Sequence, residues 1–161
     1  MEDWRDRSLA FKRTVYPETA PPHRADVDDA DASLNISVIF TSVESTLAAL
    51  WQAGELARSL GARITILAPQ VVPYPLPLES PPVLLDWSER RFRVIASHSP
   101  VETVVRLYLC RDSIETLRSV LRPKSLVVVG ARRGWWPFTR EKGLARTLRR
   151  AGHEVIFTES E

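Results

Sequence analysis

The hydrophobic positions of this chain form short runs that alternate with segments of helical spacing. Leu126, Val127, Val128 and Val129 make an unbroken apolar run, which is typical of a strand covered on both faces in a parallel sheet. Four other segments also have the pattern of strands. In chain order, the five predicted strands are Asn35–Thr41, Arg63–Ala68, Val101–Leu109, Leu126–Val129 and Glu154–Thr158.

Helices are predicted between these strands. An apolar stripe at helical spacing predicts a helix over Ser45–Leu60, and Gly61 is a C-terminal stop for it. A second helix is predicted over Val83–Ala96, although its last six residues also fit a strand. The last two predicted helices are one capped by Asp112 and ended by Pro123, and one capped by Thr139 and stopped by Gly152. The proline-rich segment Pro69–Pro82 is predicted to be irregular.

Strands that alternate with helices predict an α/β fold, with a mostly parallel, Rossmann-like sheet and helices on both faces. Val101–Leu109 is partly polar on its second face, which favours an edge position. The first and fourth predicted strands suit central positions, and the order 3-2-1-4-5 satisfies both conditions. The direction of winding then reverses between those two strands, so Thr41, Ser42 and Gly130–Arg133 flank the crevice where such sheets usually bind ligands.

The domain itself is predicted to span residues 34–161. Residues 1–33 contain eight acidic and five basic residues, and Pro17, Pro21 and Pro22 lie among them. Because this segment has little apolar surface with which to offset the entropy of ordering, we expect a disordered, charged tail.

Charge is unevenly distributed along the 161 residues. The net charge is only +2, but residues 130–150 contain seven Lys/Arg and one acid, a net charge of +6. This distribution favours an anionic partner, and it also fits an ordinary solvated helix face. The single cysteine, the absence of an apolar segment of membrane-spanning length and the polar N-terminus favour a cytoplasmic protein that does not enter a membrane.

Few residues suggest chemistry. Gly130, followed by Arg132 and Arg133, could build an anion site with the N-terminus of the last helix, and a tight turn is the simpler alternative. Cys110 is expected to be a packed thiol, because no second cysteine or nearby histidine supports a redox role. The three histidines, His23, His98 and His153, lack metal-ligand spacing. No catalytic constellation is present, so we do not expect an enzyme.

The segment Trp135, Trp136, Pro137, Phe138 is the most unusual local feature. Its aromatic side chains could bind a protein partner or stack on a planar ligand, and the alternative is that they cover the core. Nucleic acid is not expected as a partner, because the net charge is small and the tail is acidic.

Three segments resemble the universal stress protein (UspA-like) family: I-S-V-I-F-T-S-V-E-S-T from Ile36, L-A-R-S-L-G-A-R-I-T-I-L from Leu56, and L-V-V-V-G-A-R-R from Leu126. The resemblance covers about Asn35–Glu159. It implies a five-stranded α/β fold of the adenine-nucleotide α-hydrolase type in the order 3-2-1-4-5. It also implies homodimers, often paired through the last strand, and a role in the stress response.

Members of this family that bind ATP carry an aspartate at the end of the first strand and a glycine loop. In this chain the aspartate position matches Thr41. The first and third loop glycines match Gly130 and Gly143, while the second falls on Arg133, and Leu144 replaces a hydroxyl residue. The resemblance therefore implies a binding or regulatory domain with a degenerate nucleotide site and no catalysis. The alternative is an ATP-binding stress protein with an anion site at Gly130, capable of slow hydrolysis.

Overall fold

The computed structural model describes residues 10–18, 34–134 and 139–160, which form four helices and six strands. The strands are β1 (Ala10–Val15), β2 (Asn35–Ile39), β3 (Arg63–Val71), β4 (Thr103–Cys110), β5 (Leu126–Arg132) and β6 (Glu154–Ser160). The helices are α1 (Val43–Leu60), α2 (Leu85–Ser97), α3 (Ser113–Val120) and α4 (Arg140–Arg150).

One six-stranded sheet runs through the molecule in the order β1-β4-β3-β2-β5-β6. The five strands from β2 onwards are parallel to one another, and together they have the predicted order 3-2-1-4-5. The α/β class and this order are therefore confirmed. Winding reverses between β2 and β5, as predicted, because β2 pairs with both β3 and β5.

The sixth strand, β1, corrects the prediction of a disordered tail over residues 10–15. It pairs antiparallel with β4, with Ala10 opposite Cys110 and Val15 opposite Val105. Val15 is buried in the core, and the Nε of Arg13 lies 2.9 Å from Oε1 of Glu89 on α2. The prediction that β4 is an edge strand is wrong for the same reason. The rest of the predicted tail, residues 1–9 and 19–33, lies outside the described residues.

Helices cover both faces of the sheet, as predicted. On one face, Ala49, Leu50 and Ala53 of α1 and Phe92 of α2 share a buried cluster with Val38. On the other face, α3 and α4 pack on β3, β5 and β6 through a second cluster, whose members include Leu117, Val127, Ala145, Leu148 and Val155. Each face of the central strands is therefore shielded from water, which explains the unbroken apolar run in β5.

Most predicted helix boundaries are confirmed. Asp112 Oδ1 accepts a hydrogen bond from Glu115 N at 3.0 Å, and Thr139 Oγ1 accepts one from Lys142 N at 3.2 Å. Gly61 and Gly152 have the positive φ values of 65° and 95° that suit glycine after a helix. The segment over residues 91–96, which also fitted a strand, is helical.

Several boundaries differ from the prediction, among them the start of α1 and the end of β3. α1 begins at Val43 rather than Ser45, because Ser42 caps it. β3 extends to Val71 and includes Pro69, which was predicted to be irregular. Beyond Leu67, β3 pairs only with β4 in the ladders, so proline does not interrupt pairing with β2.

Candidate functional site

The crevice predicted from the winding lies at the carboxyl ends of β2 and β5. Thr41 and Ser42 follow β2 and lead into α1. Gly130, Arg132 and Arg133 lie at the end of β5 or directly after it. The structure therefore brings five of the six predicted site residues to one edge of the sheet, and Gly143 lies within α4.

Thr41 and Gly130 are in direct contact. The hydroxyl of Thr41 donates a hydrogen bond to the carbonyl oxygen of Gly130 over 2.7 Å. The backbone N–H of Thr41 donates to Oγ1 of Thr46, which is buried on α1, over 3.3 Å. Thr41 thus ties the end of β2 to both β5 and the first turns of α1, and its side chain is directed toward the protein.

Gly130 does not begin a loop, which corrects the prediction for this residue. β5 continues through Arg132, because Gly130, Ala131 and Arg132 pair with Thr158, Glu159 and Ser160 of β6. A Cβ atom at Gly130 would clash with the backbone carbonyl of Ser45 and would also lie 3.1 Å from Cβ of Ala49. The glycine is therefore explained by the close approach of α1 to β5, and no positive φ is involved.

Ser42 is also used within the protein. Its Oγ accepts a hydrogen bond from Ser45 N at 3.2 Å, so its hydroxyl satisfies a free N–H at the start of α1.

In contrast, the side chains of Arg132 and Arg133 are exposed and have no ion-pair partner among the described residues. The backbone N–H of Arg133 donates to the carbonyl oxygen of Ser160 over 2.9 Å, which holds the two arginines at the end of the strand pair.

Gly143 is in a helical position. Its N–H donates to Thr139 O over 3.0 Å, and its carbonyl accepts from Oγ1 of Thr147 over 2.9 Å. A Cβ atom added there would meet no heavy atom within 4 Å. Gly143 is therefore not required by a close contact with the rest of the described chain, in contrast to Gly130.

These contacts can be compared with the ATP site that the family resemblance implies. The carboxylate that would follow β2 is replaced by a threonine hydroxyl that is already bonded to Gly130. The space beside Gly130 is filled by the first turn of α1. One buried polar atom, Oγ1 of Thr158 opposite Gly130, has no hydrogen-bond partner. A single unpaired hydroxyl in the sheet does not replace the residues of the family's motif that are missing here.

Cys110 is fully buried, and its thiol lies 3.6 Å from the carbonyl oxygen of Gln70. Burial raises the pKa of this thiol, a hydrogen bond with Thr116 opposes the shift, and the charge of Asp112 adds to it. The side chain therefore stays a neutral thiol in the core. This agrees with the expected packed cysteine.

His153 has a structural role. It is buried, and its Nδ1 accepts a hydrogen bond from the backbone N–H of Ser125 at 3.1 Å. His98 is exposed at the C-terminus of α2. Within the described parts of the chain, no three His, Cys, Asp or Glu residues are grouped in a way that could hold a metal ion.

Some predictions fall outside the described residues. Trp135, Trp136 and Phe138, proposed as a partner surface, lie there, as does His23. Sequence reasoning also missed Ser45 and Thr46, which place a carbonyl oxygen beside Gly130 and a hydroxyl oxygen that accepts from Thr41 N. In the sequence, these two residues show only that they lie near the start of a helix, and short polar residues at that position usually serve as caps.

In the described ranges, no helix is long and apolar enough to cross a lipid bilayer. No protein-family model matches the chain, and no curated protein matches it. Several solved structures are similar to this chain, and two of them illustrate the likeness. One, a protein from the universal stress protein family from Burkholderia pseudomallei, is 23% identical with a TM-score of 0.52, over 78% of this chain and 96% of that chain.

The other, a universal stress protein from Archaeoglobus fulgidus, is 17% identical with a TM-score of 0.48, over 77% of this chain and 92% of that chain. The similarity to the first of these structures and the confirmed strand order both indicate the same architecture. The chain therefore has the fold of the universal stress protein family, with one added antiparallel strand, β1.

Proposed function

We propose that this chain is a non-catalytic binding or regulatory domain of the universal-stress-protein type, in which the nucleotide crevice has been closed. The observation that carries the proposal is the 2.7 Å hydrogen bond from Thr41 Oγ1 to Gly130 O. An ionised aspartate at this position could not donate such a bond, because a carboxylate is an acceptor only. The residue that would bind a ligand in the family's mode is here part of the scaffold.

The packing of α1 supports the same conclusion. Gly130 provides room for the Ser45 carbonyl and not for a phosphate group. The hydroxyl of Ser42 caps the N-terminus of α1. Without an aspartate after β2 and without an open glycine loop, the described part of this sheet edge lacks the groups that would position ATP in the family's mode.

Calorimetric titration with ATP and Mg²⁺ tests this proposal. Purified protein, first checked for co-purified nucleotide, should give no saturable heat at about millimolar ATP, a level that corresponds to roughly −4 kcal/mol of binding free energy. A saturable isotherm with one site per chain would refute the proposal. Where a variant that lacks one arginine is titrated as well, Arg90→Ala is its charge-matched control, because Arg90 lies on the opposite side of the sheet from α4.

A second candidate function is an anion site at Arg132 and Arg133. It is favoured by one observation: both guanidinium groups are exposed at the end of β5 and have no ion-pair partner among the described residues. Arginine binds phosphate through paired N–H groups, so two free arginines could hold an anionic ligand without a glycine loop. If the Arg132→Ala, Arg133→Ala double variant and the unaltered protein have the same affinity for phosphate or nucleotide, this candidate is excluded.

We also propose that the chain forms a homodimer in the cytoplasm through β6. Within the described chain β6 pairs only with β5 and lies at the end of the sheet. Apart from the Val155 carbonyl, which accepts a hydrogen bond from Arg149 over 3.1 Å, its outer backbone groups can pair with a second copy. Size-exclusion chromatography with light scattering should give the mass of two chains. A mass of one chain at high protein concentration would rule out this arrangement.

A further inference from the structure

Positive charge is concentrated in one segment of the chain. Residues 118–150 contain ten Lys/Arg and a single acid, Glu141, which gives a net charge of +9. The remaining residues contain 12 Lys/Arg and 19 Asp/Glu, a net charge of −7. The overall charge of +2 is thus the difference between two strongly charged parts, and such asymmetry is typical of proteins that bind polyanions.

The fold gathers five of these cations on one surface, which we call the basic face. Arg118 is in the last turn of α3, Arg122 and Lys124 are in the loop between α3 and β5, and Arg146 and Arg150 are one turn apart on α4. All five side chains are exposed. Because α3 and α4 cover the same side of the sheet, the five charges share one side of the molecule.

Backbone contacts hold the two parts of the basic face together. Ser125, next to Lys124, donates its N–H to Nδ1 of His153 over 3.1 Å. The carbonyl oxygen of Ser125 accepts a hydrogen bond from Glu154 N over 3.0 Å. These hydrogen bonds fix the loop that carries Arg122 and Lys124 against the turn that follows Arg150. The charged residues of the loop are therefore held by an ordered part of the backbone.

The cations of the basic face are not neutralised by the protein. None of the five has an ion-pair partner among the described residues. Elsewhere, the guanidinium groups of Arg13, Arg58 and Arg63 lie 2.9 Å, 3.8 Å and 3.3 Å from carboxylates of Glu89, Glu55 and Glu102. Five like charges kept close without counter-ions oppose folding, so their grouping is not explained by stability.

The surroundings of the basic face distinguish between classes of partner. Among the described residues of α3, the loop that follows it and α4, the one exposed large hydrophobic side chain is Ile114, which lies one turn before Arg118. Protein interfaces rely on buried apolar and aromatic side chains at their centre, and membrane-surface helices insert an apolar face. Interfaces with nucleic acid are more polar and much more positively charged, and arginine pairs well with phosphate.

We infer that the basic face binds the phosphate backbone of a nucleic acid. The small net charge alone argues against such a partner. The distribution of charge argues for it, as does the scarcity of exposed large apolar side chains among the described residues of α3, the loop after it and α4, where only Ile114 is exposed. α4 places Arg146 and Arg150 on successive turns, and the α3–β5 loop adds a second row of charge. This arrangement suits an extended row of phosphates, and contacts to phosphates do not depend on nucleotide sequence. The inference does not depend on the closed crevice at the other edge.

The test is fluorescence anisotropy of a labelled single strand and a labelled duplex of about 20 nucleotides, with salt varied between about 50 and 200 mM. The variant Arg146→Gln, Arg150→Gln is compared with Arg90→Gln, Arg93→Gln, which removes the same charge from exposed positions of α2 on the other side of the sheet. Circular dichroism confirms that both variants are folded.

We expect the unaltered protein to bind, and the α4 variant to lose about tenfold in affinity and about 1.5 in the slope of log affinity against log salt. The α2 variant should keep the slope of the unaltered protein. Equal losses in both variants, or no binding at the lowest salt, would refute the inference. So would polyglutamate or anionic lipid vesicles that bind as tightly as the oligonucleotides, because the surface would then recognise charge on another class of partner.

Discussion

The hydroxyl of Thr41 donates a 2.7 Å hydrogen bond to the carbonyl oxygen of Gly130, which is 89 residues away in the chain. This bond joins the two strands at which the sheet changes its direction of winding. In Thr41→Val the carbonyl loses its donor while the side chain keeps its shape. We expect the free energy of unfolding to fall by about 1 kcal/mol, the usual value for one part-buried hydrogen bond.

Urea denaturation checks this prediction, with Thr41→Ser as the matched control because it keeps the hydroxyl. If Val and Ser variants are equally stable, the bond contributes nothing and the proposed closure of the crevice loses its main support.

The two glycines of the family motif should respond in opposite ways to alanine. In Gly130→Ala the new methyl group meets the backbone carbonyl of Ser45, which cannot move without shifting α1. We expect a loss of about 1–3 kcal/mol in unfolding free energy, as in overpacked cores. In Gly143→Ala nothing obstructs the methyl group, and the helix should become more stable by about 0.5–1 kcal/mol.

Thermal and urea unfolding of the two variants measure both effects. The opposite ranking, with Gly143→Ala the more damaging, would mean that Gly143 rather than Gly130 is held by a close contact, as it would be if the glycine motif were intact.

The added strand β1 should contribute to stability. Val15 is buried at the antiparallel pairing with β4, while Phe11 in the same strand is 39% exposed. Val15→Ala removes two buried carbon atoms, and we expect a loss of about 1–3 kcal/mol. Phe11→Ala should cost less despite the larger side chain. Hydrogen exchange of the β4 amides is a second measurement, and fast exchange there in the unaltered protein would show that β1 does not stay paired.

The comparison of sequence with structure shows which features local patterns can predict. The apolar run Leu126–Val129 predicted a buried central strand, and Asp112, Thr139, Gly61 and Gly152 predicted helix ends, all correctly. These features depend on residues close together in the chain. The strand order followed from the expected positions of the strands in the sheet, and only the edge position of the third predicted strand was wrong, because β1 pairs with β4.

Contacts between distant parts of the chain were not predictable. Ala10–Val15 contains Lys12 and Arg13, and only its pairing with β4 makes it a strand. Gly130 was predicted to start a loop because a glycine after an apolar run usually does so. β5 continues past Gly130 because it pairs with residues 158–160 of β6. The Ser45 carbonyl occupies the space beside Gly130. Whether a glycine serves a ligand or a neighbouring helix cannot be read from one segment.

The thiol of Cys110 should make stability depend on alkaline pH. Burial raises the pKa of Cys110, so the folded chain holds the proton more strongly than the unfolded chain does. As the pH rises above the pKa of the unfolded thiol, about 8.5, the unfolded state loses its proton first, and the free energy of unfolding falls.

Denaturation of the unaltered protein and of Cys110→Ala across this range should show the extra fall only where the thiol is present. A thiol-specific chromophoric reagent should label the native protein much more slowly than the protein in urea. Native labelling as fast as that of a small-molecule thiol would contradict the buried, neutral thiol.

The closed crevice is tested most directly by titrating ¹⁵N-labelled protein with ATP and Mg²⁺ and following the backbone amides by NMR. We predict that the amide signals of Thr41, Ser42, Gly130 and Gly143 do not move at about millimolar ATP, a concentration that detects binding as weak as roughly −4 kcal/mol. Saturable shifts confined to these four residues would show that the crevice accepts nucleotide, and that the Thr41–Gly130 bond opens to admit it.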